Sequence, residues 1–439
     1  MQNRRQALSR FLFGTGSIGL RAMATGLPAS FLLRPTEASA QSLACAGDKN
    51  RLQYLILSTS GGGDPFNANT PGTYDFDDIA HSADPSMKKT AIKLGANQVN
   101  AAQIYSTLPQ WVLDRSSFIH HTTLTNAHPN HPKVLRVMGY TDRQEMAPSI
   151  FAKTLAECLG SIQAEPVSAG AGNQFTFEGK TLPNLGPTSL RDMLAADTSP
   201  LGKLQTMRDA SVDQLSALLR DRGTKSQRDY MDQLVISRRQ ARSLSDDLLQ
   251  MFSGIAGNGP ADQITAAVAL IKMNVSPVVY VRLPFGGDNH SDSDLMVNET
   301  PQTIDSVGNI ARLMQLLKDS GLEDRVTFGI QNVFGRTLSK LGTKGRDHWG
   351  SHHVTMLTGK FIRPGVVGGL VPTTNNRVKE YMAGAFDSTT GRLSDAGDVT
   401  TGESLGSVSK TMGAALGVPT AVLDQKIKIG KLIPAALMG

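Results

Sequence analysis

The stretch Pro277-Val-Val-Tyr-Val-Arg-Leu283, followed at once by Phe285-Gly-Gly-Asp-Asn-His290, decides how the rest of the chain is read. Its first half is apolar and β-branched almost without interruption, the pattern of a strand covered on both faces. Its second half breaks on paired glycines and delivers an aspartate and a histidine where the strand ends. An amphipathic helix is expected next over 303–319, with Ile304, Val307, Ile310, Met314 and Leu317 inward, then a strand at Val326-Thr-Phe-Gly-Ile330. Phe334-Gly-Arg336 and Arg346-Asp-His-Trp-Gly-Ser-His-His353 follow, and 354–358 reads as the last core strand before the Gly-rich 365–370. Acidic and imidazole side chains thus gather where strands give way to loops, an arrangement that holds divalent metals through Asp oxygens and His nitrogens. Four of the nine histidines lie in 277–353 and four more in 120–131, and the two groups are expected to meet at one site.

Outward from that stretch, Arg51-Leu-Gln-Tyr-Leu-Ile-Leu-Ser58 reads as a buried first strand that empties into Gly61-Gly-Gly-Asp64. Asp64 there is either a ligand at a strand's exit or an ordinary turn aspartate. A helix kinked at Pro109 is expected over 100–113, then a strand at Phe118-Ile-His-His-Thr-Thr123. Neighbouring strand residues point to opposite faces, so at most one of His120 and His121 faces any given site. Asn126-Ala-His128-Pro-Asn-His131-Pro follows, and helices are expected over 149–159 and 261–273. The polar, helical pattern of about 189–255 reads as an insertion, a lid or an interaction surface. Strands alternating with helices give an α/β fold, doubly wound, with a mostly parallel sheet and helices on both faces. Ligands bind such sheets at the carboxyl ends of the strands, where Asp64, Asp288 and His290 lie.

The first forty residues stand apart. Paired arginines at Arg4 and Arg5, a mild apolar run broken by glycines, and Ala38-Ser-Ala40 lay out a twin-arginine export signal over 1–40, with one domain over 41–439. The signal's five arginines and Glu37 contribute +4 of the chain's +6, which leaves +2 for the remainder. That balance, with no basic stripe, speaks against a nucleic-acid partner. No later segment is long and apolar enough for a transmembrane anchor. A periplasmic or extracellular location is expected, where Cys45 and Cys158 can form a disulfide; Cys45 as a lipid carrier is the weaker alternative.

Taken together, Asp288 with His290 and Asp347 with His348 compose a one- or two-metal hydrolytic centre, with Asp292 and Asp294 as substitutes. The set Gly62-Gly-Asp64, Ala127-His128, Gly286-Gly-Asp-Asn-His290, Phe334-Gly-Arg336 and Gly345-Arg-Asp-His348 resembles the twin-arginine-exported domain-of-unknown-function 1501 family, placed in the alkaline-phosphatase-like superfamily with sulfatases. The resemblance implies an alkaline-phosphatase-like fold and a metal-dependent site for phosphate or sulfate esters. Asp64, Asp288, His290, Asp347 and His348 would bind zinc, calcium or manganese, and His128 or Arg336 would steady an oxyanion. Ala127 stands where that family has Ser and Val333 where it has Glu, so nucleophile and metal binding are both weakened. Thr123, Thr125 or water would then attack a small-molecule ester. The alternative is a degenerate member of the same fold that binds or assembles with a protein partner, which insertion 189–255 would contact.

Overall fold

The computed structural model describes residues 49–194, 214, 246–339, 344–375 and 378–439. The segment 1–40 expected to be an export signal, the Cys45 side of the expected disulfide and most of the expected insertion 189–255 lie outside the described residues.

Seven strands form the central sheet: β1 (Tyr54–Ser58), β2 (Ser116–His121), β3 (Val167–Ser168), β4 (Val278–Val281), β5 (Val326–Ile330), β6 (His353–Thr358) and β7 (Gly365–Val367), in the order β7-β2-β6-β5-β1-β4-β3. Every neighbouring pair is parallel except those made by β6. Alternation along the strands sorts the core onto two faces. Tyr54, Ile56, Phe118, Val279, Val281, Phe328 and Ile330 pack with two helices, α2 (Pro260–Lys272) and α3 (Glu299–Asp319). Leu55, Leu57, Ile119, Val278 and Tyr280 face the opposite way, onto α1 (Ala147–Leu159) and α4 (Ser404–Ala415). Each central strand is buried along its whole length, which is why it reads as continuous apolar sequence. Among the described residues no helix is long and apolar enough to cross a membrane.

The antiparallel strand follows from the route of the chain. Among the described residues of the excursion between β5 and β6 no helix crosses back over the sheet, and β6 returns antiparallel beside β5. That excursion carries Arg336, Asp347 and His348, and it brings His353 in register with His121.

The region around Asn100 departs from expectation. Asn97–Ala102 is a strand paired with Lys89–Leu94 across a two-residue turn in which Gly95 takes φ +60°. The Ile104, Leu108 and Val112 spacing is then met by a 3₁₀ turn, Gln103–Thr107, and a single helical turn, Gln110–Leu113, that starts after Pro109. Proline here opens a helix instead of kinking one. Within the Gly-rich segment after β6, Gly365–Val367 is an edge strand parallel to β2.

Candidate metal centre

Loops leaving β1, β2, β4 and β5 converge at the carboxyl end of the sheet. The glycines after β1 contribute their carbonyls. Gly61 O lies 2.7 Å from His128 Nδ1, Gly62 O accepts from Arg336 Nη2 at 2.9 Å, and Gly63 O accepts from Arg336 Nε. Gly63 has no substitute: its φ is +64°, and a Cβ would lie 1.9 Å from the Phe334 ring. The run thus orients a histidine and an arginine toward one point.

Arg336 sits in a two-residue antiparallel bridge, Gly335–Arg336 with His348–Trp349, that sets Arg336 opposite His348. Its backbone N–H donates to Asn67 Oδ1 at 2.8 Å. The guanidinium is fully buried and ion-paired to Asp288 Oδ1 at 2.9 Å, with Nη1 3.3 Å from His290 Nε2.

Around Asp288 stand three imidazoles. His128 Nε2 is 3.7 Å from Oδ2, while His348 Nε2 and His290 Nε2 are 3.8 and 3.1 Å from Oδ1. Asp347 Oδ1 accepts the backbone N–H of His348 at 2.8 Å and lies 3.5 Å from His290 Nδ1. His128, Asp288 and His348 each offer one ligand atom within 4.8 Å of the others.

The ring protons decide what this trio can do. A carbonyl only accepts, so His128 Nδ1 donates to Gly61 O, and His348 Nδ1 donates to Asn126 O at 2.7 Å. When these rings are neutral, each Nε2 is a bare lone pair aimed at a carboxylate. His348 Nε2 is buried and has no hydrogen-bond partner. Backbone carbonyls holding the far nitrogen are the usual support of metal-bound imidazole. Two bonds of about 2.1 Å at a tetrahedral angle span about 3.4 Å, a few tenths less than the two imidazole–carboxylate separations here. The trio therefore fits a metal ion, with a donor set of two nitrogens and one oxygen.

Electrostatics points the same way. Partial burial raises the Asp288 pKa, but the Arg336 charge, its hydrogen bond and the nearby His290 and His128 outweigh it, so the carboxyl titrates below its ordinary range. Burial lowers the His348 pKa against the opposing Asn126 bond, with further lowering from Arg336, His128 and His290, so the ring favours its neutral, ligating form. Desolvation lowers the Arg336 pKa as well, and Asp288 opposes it.

Asp64 is placed differently from the other expected ligands. It is fully buried, close to Gly62 and Gly287, and outside the mutually reachable trio. Neither carboxylate oxygen completes a hydrogen bond of ordinary geometry, although the Ser60 hydroxyl and the Gly287 amide lie near enough to favour its charge. Burial dominates and raises its pKa against Arg282, Ser60 and Arg336. The structure gathers Asp288, His290, Asp347, His348, His128 and Arg336, and keeps Asp64 fully buried within reach of the Arg336 charge. Asp292 does other work: its carboxylate accepts the N–H groups of Val297, Asn298 and Glu299 and so caps α3. Asp294 accepts from Met296 N in a local turn.

Sequence reading missed what holds the loops. Arg346 and Glu299 form a fully buried ion pair at 2.8 Å. Asn69 and Asn289 each donate to Glu299 at 2.8 Å, and Arg346 also donates to the carbonyls of Thr337 and Leu338. Asn289 separates Asp288 from His290, and Arg346 precedes Asp347, so this network fixes both ligand loops at once. Removing one partner of such a pair costs on the order of 3–5 kcal/mol. An arginine beside the Asp-His pair was the available signal.

Residues 208–385 match the family described as protein of unknown function (DUF1501). The match supports that family. The DUF1501 span contains Asp288, His290, Arg336, Asp347 and His348, while His128 and the glycine carbonyls lie before it. No curated protein matches the chain.

Proposed function

We propose that the chain is an exported, metal-dependent hydrolase of phosphate or sulfate esters built on an alkaline-phosphatase-like fold. The observation that carries this reading is the pair of Nε2 lone pairs, His128 and His348, facing Asp288 with their other nitrogens pinned to carbonyls. Export by the twin-arginine route and a periplasmic location belong to the same proposal. A divalent ion at this trio would supply positive charge to an oxyanion and acidify a water molecule. Two imidazoles with a carboxylate suit zinc or manganese better than calcium, which prefers oxygen donors alone.

The remaining roles follow from position. Arg336 offsets the Asp288 charge and presents Nη1 toward His290, so these two side chains face the space where an anionic ester would sit. Asp347 orients His290. Among the described residues no serine or threonine hydroxyl bonds to the trio, and Ala127 offers none, so water is the nucleophile in this reading.

Metal analysis of the purified 41–439 chain, with turnover of 4-nitrophenyl phosphate and 4-nitrophenyl sulfate, tests the proposal. One tightly held zinc or manganese, lost in Asp288→Ala together with turnover, is expected. No bound metal and unchanged behaviour of Asp288→Ala would sink it.

A second reading keeps the fold and drops the chemistry. Val333 is fully buried in the core at the place where the resembled family has a carboxylate, and Arg336 already neutralises Asp288. A protein that binds a partner without turnover would keep these features. Robust hydrolysis of either aryl ester rules this reading out.

A further inference from the structure

Next to the metal trio lies a cavity of about 360 Å³, open to solvent, that the chemistry above leaves unassigned. It borders the site through Asn126, a lining residue whose carbonyl holds His348 Nδ1 and whose side-chain Oδ1 accepts the N–H of Gly350. Gly350 is indispensable to that junction, because a Cβ there would lie 2.2 Å from Thr125 O. Its own carbonyl takes the N–H groups of Thr123 at 2.9 Å and Leu124 at 3.2 Å. The cavity wall and the His348 ligand are therefore positioned by one stitch of backbone.

The lining has a definite chemistry. Thr125, Asn126, Ser351 and Thr401 present hydroxyl and amide groups, Leu124 and Met382 present apolar surface, and no ionisable side chain takes part. Several polar groups lack internal partners. Among the described residues the hydroxyls of Ser351 and Thr401 make no hydrogen bond, and Asn126 uses its side-chain oxygen but not its NH₂. Thr125 Oγ1 accepts from Asn130 at 2.8 Å and from Ala127 N, which leaves its proton to donate. Leu124 adds a second signal: it is held at φ +60° and is 44% exposed, a strained and exposed leucine at the mouth of the cavity. Such strain is concentrated at ligand sites. Without cations the cavity cannot offset the desolvation of a second anionic group, and without more apolar wall it gains little from a hydrocarbon. Paired hydroxyl donors and acceptors beside a small apolar patch suit a ring that carries both OH groups and C–H faces.

We propose that this cavity is a subsite for a neutral, polyhydroxylated group of monosaccharide size, the alcohol half of the ester whose oxyanion the metal centre would hold. As a statement about the ester it rests on the hydrolase reading; as a statement about the cavity it is tested without turnover. Saturation-transfer NMR on the 41–439 chain uses methyl α-glucoside as probe and cyclohexanol as a size-matched apolar control, with and without added zinc. Methyl α-glucoside is expected to bind in both conditions and at least tenfold better than cyclohexanol. The double variant Ser351→Ala, Thr401→Val should lose at least tenfold of that binding and keep its zinc stoichiometry. If the double variant fails to fold, Met382→Trp, which fills the cavity from a half-buried position, should abolish the signal. Equal binding of cyclohexanol, no glucoside binding, or glucoside binding unchanged in a folded variant overturns the proposal. Glucoside binding in a protein that takes up no zinc would leave the subsite standing and remove the metal reading alone.

Discussion

Two groups of histidines sit a short distance apart and are built on opposite principles. In the half-exposed group, His128 and His348 each have one ring nitrogen bonded to a carbonyl and one that faces a carboxylate bare. In the buried group, His120, His121, His352 and His353 have both ring nitrogens engaged. Asn67 Nδ2 donates to His352 Nδ1 at 3.0 Å, His352 Nε2 to His120 Nδ1 at 3.0 Å, and His120 Nε2 to Pro71 O at 2.9 Å. A parallel relay runs from Asn332 N to His353 Nε2, from His353 Nδ1 to His121 Nε2 and from His121 Nδ1 to Thr122 O. Each relay begins at a donor and ends at a carbonyl, so every ring is neutral in one defined tautomer. Imidazole with a lone pair left over is available to a cation; imidazole with none is structural framework.

The largest effects separate the two groups. His348→Ala is expected to weaken zinc or manganese binding by more than about 100-fold, since loss of a supporting residue alone costs 10- to 100-fold, while the melting temperature hardly moves. His353→Ala should do the reverse. It leaves a cavity and one unpaired group, the Asn332 N–H, while His121 Nε2 keeps Thr355 Oγ1 at 2.8 Å, at a cost of about 3 kcal/mol with metal affinity intact. Calorimetric titration and thermal melts on both variants read the two columns. Metal loss in His353→Ala would show that the groups are one system.

A pH series sharpens the same contrast. Burial lowers the pKa of His120 and of His121 to about 4, against the opposing pull of their carbonyl partners. Burial takes His352 and His353 well below their ordinary value, with neighbouring histidines adding to the effect. The folded pKa lies below the unfolded one, so between about pH 6.5 and 4 the unfolded chain binds more protons. Stability is therefore full above about pH 6.5 and falls as pH drops toward 4, by up to about 2 kcal/mol per histidine between pH 7 and 5. Urea denaturation across that range checks it, and a flat profile would contradict the neutral relays. Asp64 works in the opposite sense: its raised pKa favours the folded state once the pH falls far enough to protonate it.

Asn67 is where the groups touch. Its Nδ2 bonds both His352 Nδ1 and Arg336 O, and its Oδ1 takes Arg336 N. Asn67→Ala should destabilise the fold by about 2 kcal/mol and weaken metal binding about tenfold, an effect in both measurements that no other variant named here gives. A change in only one of them would mean that Arg336 is held without Asn67.

These histidines also show what sequence made legible. Continuous apolar runs placed β1, β4 and β5, and Asp288, His290 and Arg336, expected near their carboxyl ends, lie within contact distance of one another. Spacing could not say which imidazoles would be orphaned, because that depends on carbonyls. Gly61 O and Asn126 O carry no side-chain signature, and what separates His128 and His348 from His120 and His352 is that the second ring nitrogen of the latter pair is also bonded. The opposite-face rule for His120 and His121 is met, yet both are covered, since His352, just before β6, and His353, its first residue, serve as partners. Position at a strand's exit made Asp64 a candidate ligand, and its complete burial was not readable from a glycine-rich turn. The hairpin Lys89–Leu94 with Asn97–Ala102 was hidden because a Gly95-Ala96 turn lacks the usual Asn-Gly signature.

The smallest effect falls on the residue that borders the trio without joining it. Asp347 Oδ1 caps His348 N and stands 3.5 Å from His290 Nδ1, with its side chain 45% exposed. In Asp347→Asn an amide oxygen can still accept the His348 N–H, so the backbone of the ligand loop stays in place and only the charge is lost. A charge this open to solvent is screened, and its removal is expected to weaken zinc binding about threefold without changing stability. Calorimetric titration at low and high salt measures this, and the deficit should shrink as salt rises. A hundredfold loss would instead make Asp347 a ligand in its own right and enlarge the centre from three side chains to four.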